Sequence, residues 1–429
     1  MLTVEQNRQL TEVGPGKPMG DLLRRYWHPV AGVSEFEGKP IRPIRLFGED
    51  LVLFRSLNGK FGLVSSRCAH RGSNLAFGFV EEDGLRCMYH GWSYNREGEC
   101  VQRPFEETVA PNATRLKTAK LDAYPVEVKG GMVWAYMGPQ PAPQLPDWEA
   151  FSWPHCFAQV IIATIPCNWL QCQENTVDPV HFEWMHNNGP QRRAGDLGPY
   201  SPKTLDLKVE DAEYGLLSRR YREGTDESTP LWSVGRAILW PNGWYFGHHF
   251  EWKVPIDDTH TLFVTWSLLH VPKECEPYVQ AQIPTWHAPI KDEAGEWIIS
   301  HVGNQDVVAW ISQGEVADRT RESLGASDRG VVMLRRRLQE DLAAIAEGKD
   351  PRGLIRDPAK NVRIELPCIG REELMNGLPL EEMRKHPVMG PYLREFYSMA
   401  GQPAEVKAEF ERVMTVKQTQ IDLRTFIPQ

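Results

Sequence analysis

Cysteine and histidine recur twice at close spacing early in the chain, as Cys68-Ala69-His70 and, after sixteen intervening residues, as Cys87-Met88-Tyr89-His90. Each half offers one thiolate and one imidazole. Two soft thiolates with two borderline imidazoles suit a [2Fe–2S] cluster in which Cys68 and Cys87 hold one iron and His70 and His90 the other. Such mixed ligation raises the reduction potential above that of all-cysteine clusters. The competing chemistry is a structural Cys2His2 zinc site, which usually places two closely spaced histidines on a helix after the cysteines. Here each half runs Cys then His on a turn between extended segments, a pattern that favours the cluster. A glycine follows each half (Gly72, Gly91), the residue type that lets backbone approach cluster sulfides and donate N–H bonds. Trp92 is placed to shield the group from water.

A second candidate site lies in Glu174-Asn175-Thr176-Val177-Asp178-Pro179-Val180-His181-Phe182-Glu183-Trp184-Met185-His186. A straight α-helix sets residues five apart about 140° from each other. His181 and His186 can therefore share one ion only if the helix breaks or unwinds between them. Pro179 supports a discontinuity, because it pushes Asp178 out of helical backbone and leaves it able to cap a new turn. Two histidines need a carboxylate to form a 2-His-1-carboxylate triad, which leaves coordination positions open for dioxygen. The candidate is Asp306, in Gly303-Asn304-Gln305-Asp306. Alone, a histidine in so aromatic a segment is usually a satisfied core residue. The Cys/His pattern upstream is what reverses that expectation.

These residues must be held by ordered elements. From Ile41 to Tyr136 short extended runs are separated by Asn-Gly, Asp-Gly and Glu-Gly turns, the signature of a small antiparallel β domain. A proline-rich passage over 138–148 reads as a linker and places a boundary between residues 1–145 and 146–429. Beyond it a helical segment is expected at 167–186, then strands at 215–223, 233–240, 243–255 and 260–272, with an Ile-Asp-Asp-Thr turn joining the last two. Helical spacing returns at 331–348, closed by Gly348, and at 381–400 and 404–414. The fold class is α+β, with an N-terminal antiparallel β domain and a larger domain whose antiparallel sheet is covered by helices.

Composition excludes several functions. A chain of 429 residues exceeds what one core usually serves, and its 41% hydrophobic content speaks against disorder. The net charge of −9 argues against nucleic acid, and Arg335-Arg336-Arg337 reads as a solvated helix face. The opening MLTVEQNRQL lacks the features of a secretion signal and no run of about 18 apolar residues occurs, so no membrane contact is expected and a cytoplasmic protein is the default. Of eight cysteines, the six outside the Cys/His pairs read as small buried hydrophobes.

Taken together, C-x-H…C-x2-H followed by N-x2-D-x2-H-x4-H and a distant aspartate resembles the Rieske non-haem iron aromatic-ring oxygenases, over a stretch reaching about Gly314. The segments GPGKPMGDLLRRYWHPVA and VPIDDTHT are similar to the phthalate dioxygenase branch, which also holds O-demethylases. The resemblance implies that Cys68, His70, Cys87 and His90 carry the Rieske cluster and that His181, His186 and Asp306 bind a mononuclear Fe(II). It implies that Asp178 bridges His181 to His90 of a neighbouring subunit, in a homotrimer or hexamer. It implies further that a separate reductase or ferredoxin component passes electrons from NAD(P)H, and that dioxygen then hydroxylates or O-demethylates an aromatic, carboxylated compound in aromatic catabolism. Trp232, Trp240, Trp244, Phe246, His248 and Phe250 are candidate pocket walls. Arg219, Arg220 and Arg236 are candidates to face a substrate carboxylate, with Arg219 and Arg220 pointing to opposite faces. Two other readings compete: a Rieske-type electron carrier without oxygenase activity, against which the long chain after the linker counts, and a zinc-stabilised binding protein.

Overall fold

The computed structural model describes residues 1–110, 119–377, 380–385 and 399–415. Two helices open the chain, α1 (Val4–Thr11) and α2 (Pro18–Leu23). Thr3 caps α1, accepting from the Gln6 backbone N–H at 3.1 Å while Gln6 returns the bond to Thr3 at 2.9 Å.

The short extended runs then pair as expected. Strands β2 (Ile41–Leu46), β3 (Glu49–Arg55), β4 (Phe61–Ser65) and β9 (Ala123–Tyr124) form one antiparallel sheet in the order β2-β3-β4-β9. β5 (Phe79–Glu81), β6 (Gly84–Arg86), β7 (Ser93–Asn95) and β8 (Cys100–Gln102) form a second, followed by the short helix α3 (Pro104–Val109). Between them Val52, Phe54, Val64, Leu85, Trp92 and Tyr94 bury a common core that includes Cys68 and Cys87. A third sheet, β1 (Trp27–Gly32), β11 (Met132–Tyr136) and β10 (Val126–Lys129), turns toward the rest of the molecule. Its Trp134 packs edge-on against Trp252, ring centroids 5.1 Å apart, inside one continuous core that spans both halves of the chain.

The larger sheet has eight strands in the order β13-β14-β15-β16-β17-β18-β12-β19. They are β12 (Cys156–Ile165), β13 (Thr204–Ala212), β14 (Gly215–Arg222), β15 (Arg236–Leu239), β16 (Gly243–Tyr245), β17 (His249–Pro255), β18 (Thr261–His270) and β19 (Thr285–His287). The pairing is antiparallel except at one edge, where β19 runs parallel to β12. Two differences from expectation have a physical cause. β12 has a nearly continuous apolar run because, paired between β18 and β19, it is buried along almost its whole length, so it lacks the alternation that announces a strand. The stretch 243–255 is a hairpin and not one strand, because Gly247 takes φ +60° and reverses the chain after Tyr245.

Helix α4 (Trp169–Val177) packs against strand β17 and against helices α7 (Val302–Ile311) and α8 (Arg329–Ala346). The expected helix over 167–186 stops at Val177; a π-helix, Phe182–Asn188, follows and continues into α5 (Gly189–Arg193). A short helix α6 (Pro230–Ser233) lies between β14 and β15.

The arginine run on α8 corrects the expectation of a solvated face. Arg336 is exposed, but Arg335 is buried and its Nε lies 2.6 Å from Glu174 on α4, with Glu322 as a second partner. Arg319, 1% exposed, clamps the same carboxylate at 2.7 Å. Helix α8 ends as expected, with Gly348 at φ +76°. Within 381–400 the residues to 385 end a helix, Leu380–Lys385, while 386–398 lie outside the described residues; Ala404–Met414 is helical as expected. The six other cysteines divide: Cys167 and Cys172 are buried, and Cys100, Cys156, Cys275 and Cys368 are only partly so. Among the described residues no helix is long and apolar enough to cross a membrane.

Candidate metal centres and the cavity between helix and sheet

The two Cys/His segments fold as copies of one loop. The Cys68 N–H donates to Ser73 O at 2.9 Å and the Gly72 N–H to Cys68 O at 2.8 Å. In the other loop the Cys87 N–H donates to Trp92 O at 2.8 Å and the Gly91 N–H to Cys87 O at 3.1 Å, the same offsets. Gly72 and Gly91 sit at φ +73° and +72°, and a Cβ at Gly72 would meet nothing within 4 Å. Left-handed backbone is therefore what demands glycine there, more than crowding.

The loops bring their ligands to one place. His70 and His90 lie with ring centroids 4.6 Å apart, and Trp92, 3% exposed, stacks flat on His70 at 4.5 Å. The two thiols face the core, where the Tyr94 hydroxyl is 3.1 Å from Cys68 Sγ, whereas His90 is exposed. Burial pushes the Cys68 thiol up despite the Tyr94 contact, so a thiolate there needs a cation beside it. His70 Nδ1 is buried without a hydrogen-bond partner. Two thiols and two imidazoles converging with an orphaned ring nitrogen fit a mixed-ligand iron–sulfur group.

The second site begins where α4 ends. Asp178 leaves helical backbone, and its Oδ1 accepts the Val180 N–H at 2.7 Å, turning the chain around Pro179. The chain breaks before His181, and between the histidines the helix unwinds as expected, widening from Phe182. The Gly189 N–H donates to Trp184 O, five residues back. A π turn closes on its fifth residue, so residues five apart stack on one side. His181 and His186 thus share a face, ring centroids 5.2 Å apart. From α7, Asp306 Oδ1 lies 3.6 Å from His181 Nε2 and 3.3 Å from His186 Nε2.

One donor atom from each of the three falls within 4.8 Å of the others, and His186 Nε2 and Asp306 Oδ1 are buried without hydrogen-bond partners. Polar atoms left so are costly unless something binds them. His186 Nδ1 contacts Gln305 Oε1 at 2.8 Å, which fixes the tautomer that leaves Nε2 its lone pair. Gln305 escaped the sequence reading, though it directly precedes Asp306. Asp178 Oδ2 stands 3.7 Å from His181 Nδ1. Burial works against its charge, yet the His181 imidazole and the Val180 and His181 backbone N–H groups hold the carboxyl below its ordinary range. Glu174, another acid of the segment, is committed to Arg319 and Arg335.

His181 and Asp306 open on a small cleft of about 30 Å³ walled by Phe182, Trp244, His249 and Glu251. The sequence reading was right about Trp244 and one residue out on β17. Side chains alternate along a strand, and 249 and 251 face the cavity while Phe250 joins Trp252 in the core. Phe246 stacks on Trp244 at 5.6 Å, and His248 packs on Phe246. Trp240 lies beneath Arg352 instead, and Trp232 packs on Tyr221. As alternation requires, Arg219 turns outward to Glu210, while Arg220 turns inward. The guanidinium carbons of Arg220 and Arg236 lie 4.7 and 4.6 Å from the Phe182 ring, and Arg220 also bonds Pro179 O.

A cysteine–histidine loop pair in one half and a histidine–carboxylate set beside an aromatic cavity in the other define a two-centre iron protein suited to dioxygen chemistry. Residues 26–121 match the Rieske [2Fe-2S] domain, and residues 288–365 match the LigXa C-terminal domain like family. The chain is 52% identical over 418 residues to the 5,5'-dehydrodivanillate O-demethylase oxygenase subunit of Sphingobium sp. (strain NBRC 103272 / SYK-6), covering 97% of this chain and 98% of that one. It is 35% identical to the phthalate 4,5-dioxygenase oxygenase subunit of Pseudomonas putida, covering 82% and 89%. Among solved structures it shares the fold of NdmA from Pseudomonas putida CBB5, with 20% identity, TM-score 0.54, and 80% and 94% of the two chains covered. The terminal oxygenase of carbazole 1,9a-dioxygenase from Nocardioides aromaticivorans IC177 gives 18% identity, TM-score 0.54, and coverage of 78% and 98%. The chain belongs to the Rieske non-haem iron oxygenases and is an oxygenase component, with a [2Fe–2S] Rieske cluster and a mononuclear iron, that acts on aromatic compounds.

Proposed function

We propose that the chain demethylates a methoxylated aromatic acid. What carries the reading is the convergence of His181, His186 and Asp306, with unpartnered donor atoms, on an aromatic cavity. The near full-length likeness to an O-demethylase subunit adds the reaction type. In this reading Cys68 and Cys87 hold one cluster iron, His70 and His90 the other, and His181, His186 and Asp306 hold the mononuclear iron. When bound, that iron supplies the redox chemistry that activates dioxygen. The methyl carbon leaves as formaldehyde and the ring keeps a hydroxyl; dioxygen, with two electrons and two protons, supplies the formaldehyde oxygen and water.

This chain's residues position and orient. Phe182 and Trp244 clamp the ring and exclude water, and the inward guanidiniums of Arg220 and Arg236 attract the substrate's carboxylate. Asp178 orients His181 and, in a homotrimer or hexamer, reaches His90 of a neighbouring subunit; the exposure of His90 and the lowered carboxyl of Asp178 support that role. Electrons come from NAD(P)H through a separate reductase or ferredoxin component, in the cytoplasm. We divide the chain into a Rieske part, residues 1–145, and a catalytic part, 146–429, with α1 and α2 of the first lying against α4 and α8 of the second.

The test is iron and acid-labile sulfide analysis with product analysis on a panel of methoxylated and unmethoxylated aromatic acids. About three irons per chain are expected, two in the cluster and one beside it, together with formaldehyde matching oxygen consumed. Hydroxylation of unmethoxylated acids with no formaldehyde from any methoxylated one would overturn the demethylase reading.

A further inference from the structure

Strand β17 carries a row of charge through the core that neither iron site requires. His249, Glu251 and Lys253 alternate onto one face. Lys253 is 0% exposed, and its Nζ lies 2.7 Å from Glu251 Oε2. His249 Nε2 lies 2.8 Å from Glu251 Oε1, and its Nδ1 is 3.1 Å from Ser267 Oγ on the neighbouring strand. Burying a Lys–Glu pair is seldom the most stable option, since apolar residues of similar volume do as well or better. The row is therefore a feature that structure alone does not call for.

Its exposed end has a position that suggests a use. Glu251 and His249 line the same cavity as His181 and Asp306, and the Glu251 side chain keeps 13% of its surface open. Burial works against the carboxylate, but Lys253 and then His249 hold it down to about 2, so it is charged whenever the enzyme is at work. A carboxylate only accepts hydrogen bonds, and each of its oxygens has capacity for a second donor. The hydrogen-bond donor that an aromatic methoxy acid can offer at the ring is a phenolic hydroxyl. Behind another lining residue, Phe182, stand the cations Arg220 and Arg236, 4.7 and 4.6 Å from its ring. A carboxylate in the lining and cations behind Phe182 are charges of opposite sign, suited to a ring that carries both a hydroxyl and a carboxylate.

We propose that Glu251, steered by Lys253 and His249, accepts the hydrogen bond of a phenolic hydroxyl next to the methoxyl group, making the enzyme selective for methoxyphenolic acids over methoxy acids without that hydroxyl. The inference rests on the demethylase reading above and names its substrate class. A hydrogen bond to a charged acceptor in a dry site is worth about ten- to a hundredfold in affinity.

The experiment measures ligand binding to the iron-loaded, oxidised protein without reductant, by quenching of tryptophan fluorescence. The probes are 4-hydroxy-3-methoxybenzoate and 3-methoxybenzoate. Wild type should bind the hydroxylated acid at least about tenfold more tightly. Glu251→Gln should narrow the preference, and the double variant Glu251→Leu/Lys253→Met, which removes the pair without stranding either charge, should abolish it. Equal affinity of wild type for the two acids, or an undiminished preference in a variant of normal iron content, overturns the proposal. If the double variant loses iron, Glu251→Gln and wild type alone decide by the same criteria. Formaldehyde release is scored separately: its absence with the binding preference intact would sink the demethylase reading and leave the role of Glu251 standing.

Discussion

One nitrogen of His186 is committed to Gln305 and the other has no partner, so the side chain is fixed before any metal arrives. Gln305→Leu should release the ring and reduce iron affinity or activity by about 10- to 100-fold. Iron per chain after dialysis against a weak chelator, together with oxygen uptake, measures both. Asp178→Asn keeps the shape and removes the charge. It should leave both iron sites filled yet nearly abolish turnover, and stopped-flow reoxidation of the reduced cluster checks it; normal coupled oxygen uptake would refute the bridging role. At this scale the sequence was most readable where ligand chemistry dictates residue type and spacing, as at Cys68, His70, Cys87 and His90. It was least readable at Gln305 and Glu251, because an amide or a carboxylate becomes telling only when something packed beside it is known.

At the level of elements, α4 and α8 are joined by a buried carboxylate. Glu174 takes hydrogen bonds from Arg319 and Arg335, whose charges outweigh burial and hold it below its ordinary range. Glu174→Ala strands two buried cations and should cost about 3–5 kcal/mol, read as a lower Tm with secondary structure retained. The pH dependence has a definite sign. A carboxyl depressed in the folded state stabilises at pH above its unfolded value, and that contribution fades as pH falls through the folded value. The gap between wild type and Glu174→Gln should therefore be constant above about pH 5 and close as the solution is acidified below that. The same buried link explains why Arg335 was misread: three adjacent arginines look alike in sequence, and only the rotation of α8 decides which one turns inward. The hairpin at Gly247 was hidden for a related reason, since an unbroken aromatic stretch carries no turn dipeptide. The π turn at 182–188 was foreshadowed by the five-residue histidine spacing, which no straight α-helix can reconcile with one ion.

For the whole molecule, the two candidate centres sit in different cores, the cluster loops in that of the small sheets and the histidine–carboxylate set beside the large one. They should be separable. Treating the reduced protein with a ferrous chelator should remove about one iron in three, abolish oxygen consumption and leave the brown cluster absorption, with ferrous salt restoring activity; loss of colour in step with activity would contradict this. The broad architecture was legible because a β domain rich in tight turns and a helix-and-sheet region have distinct local signatures. The parallel edge strand β19 was not, since pairing between distant segments leaves no local trace.

The packing of Trp134 against Trp252 has one more consequence. The sheet that borders the cluster region and the sheet that walls the cavity share an interior, so the cluster cannot swing as a tethered ferry between donor and acceptor. Electrons must cross a fixed gap, at a rate set by distance and driving force, and turnover limited by that crossing would be indifferent to the viscosity of the solvent.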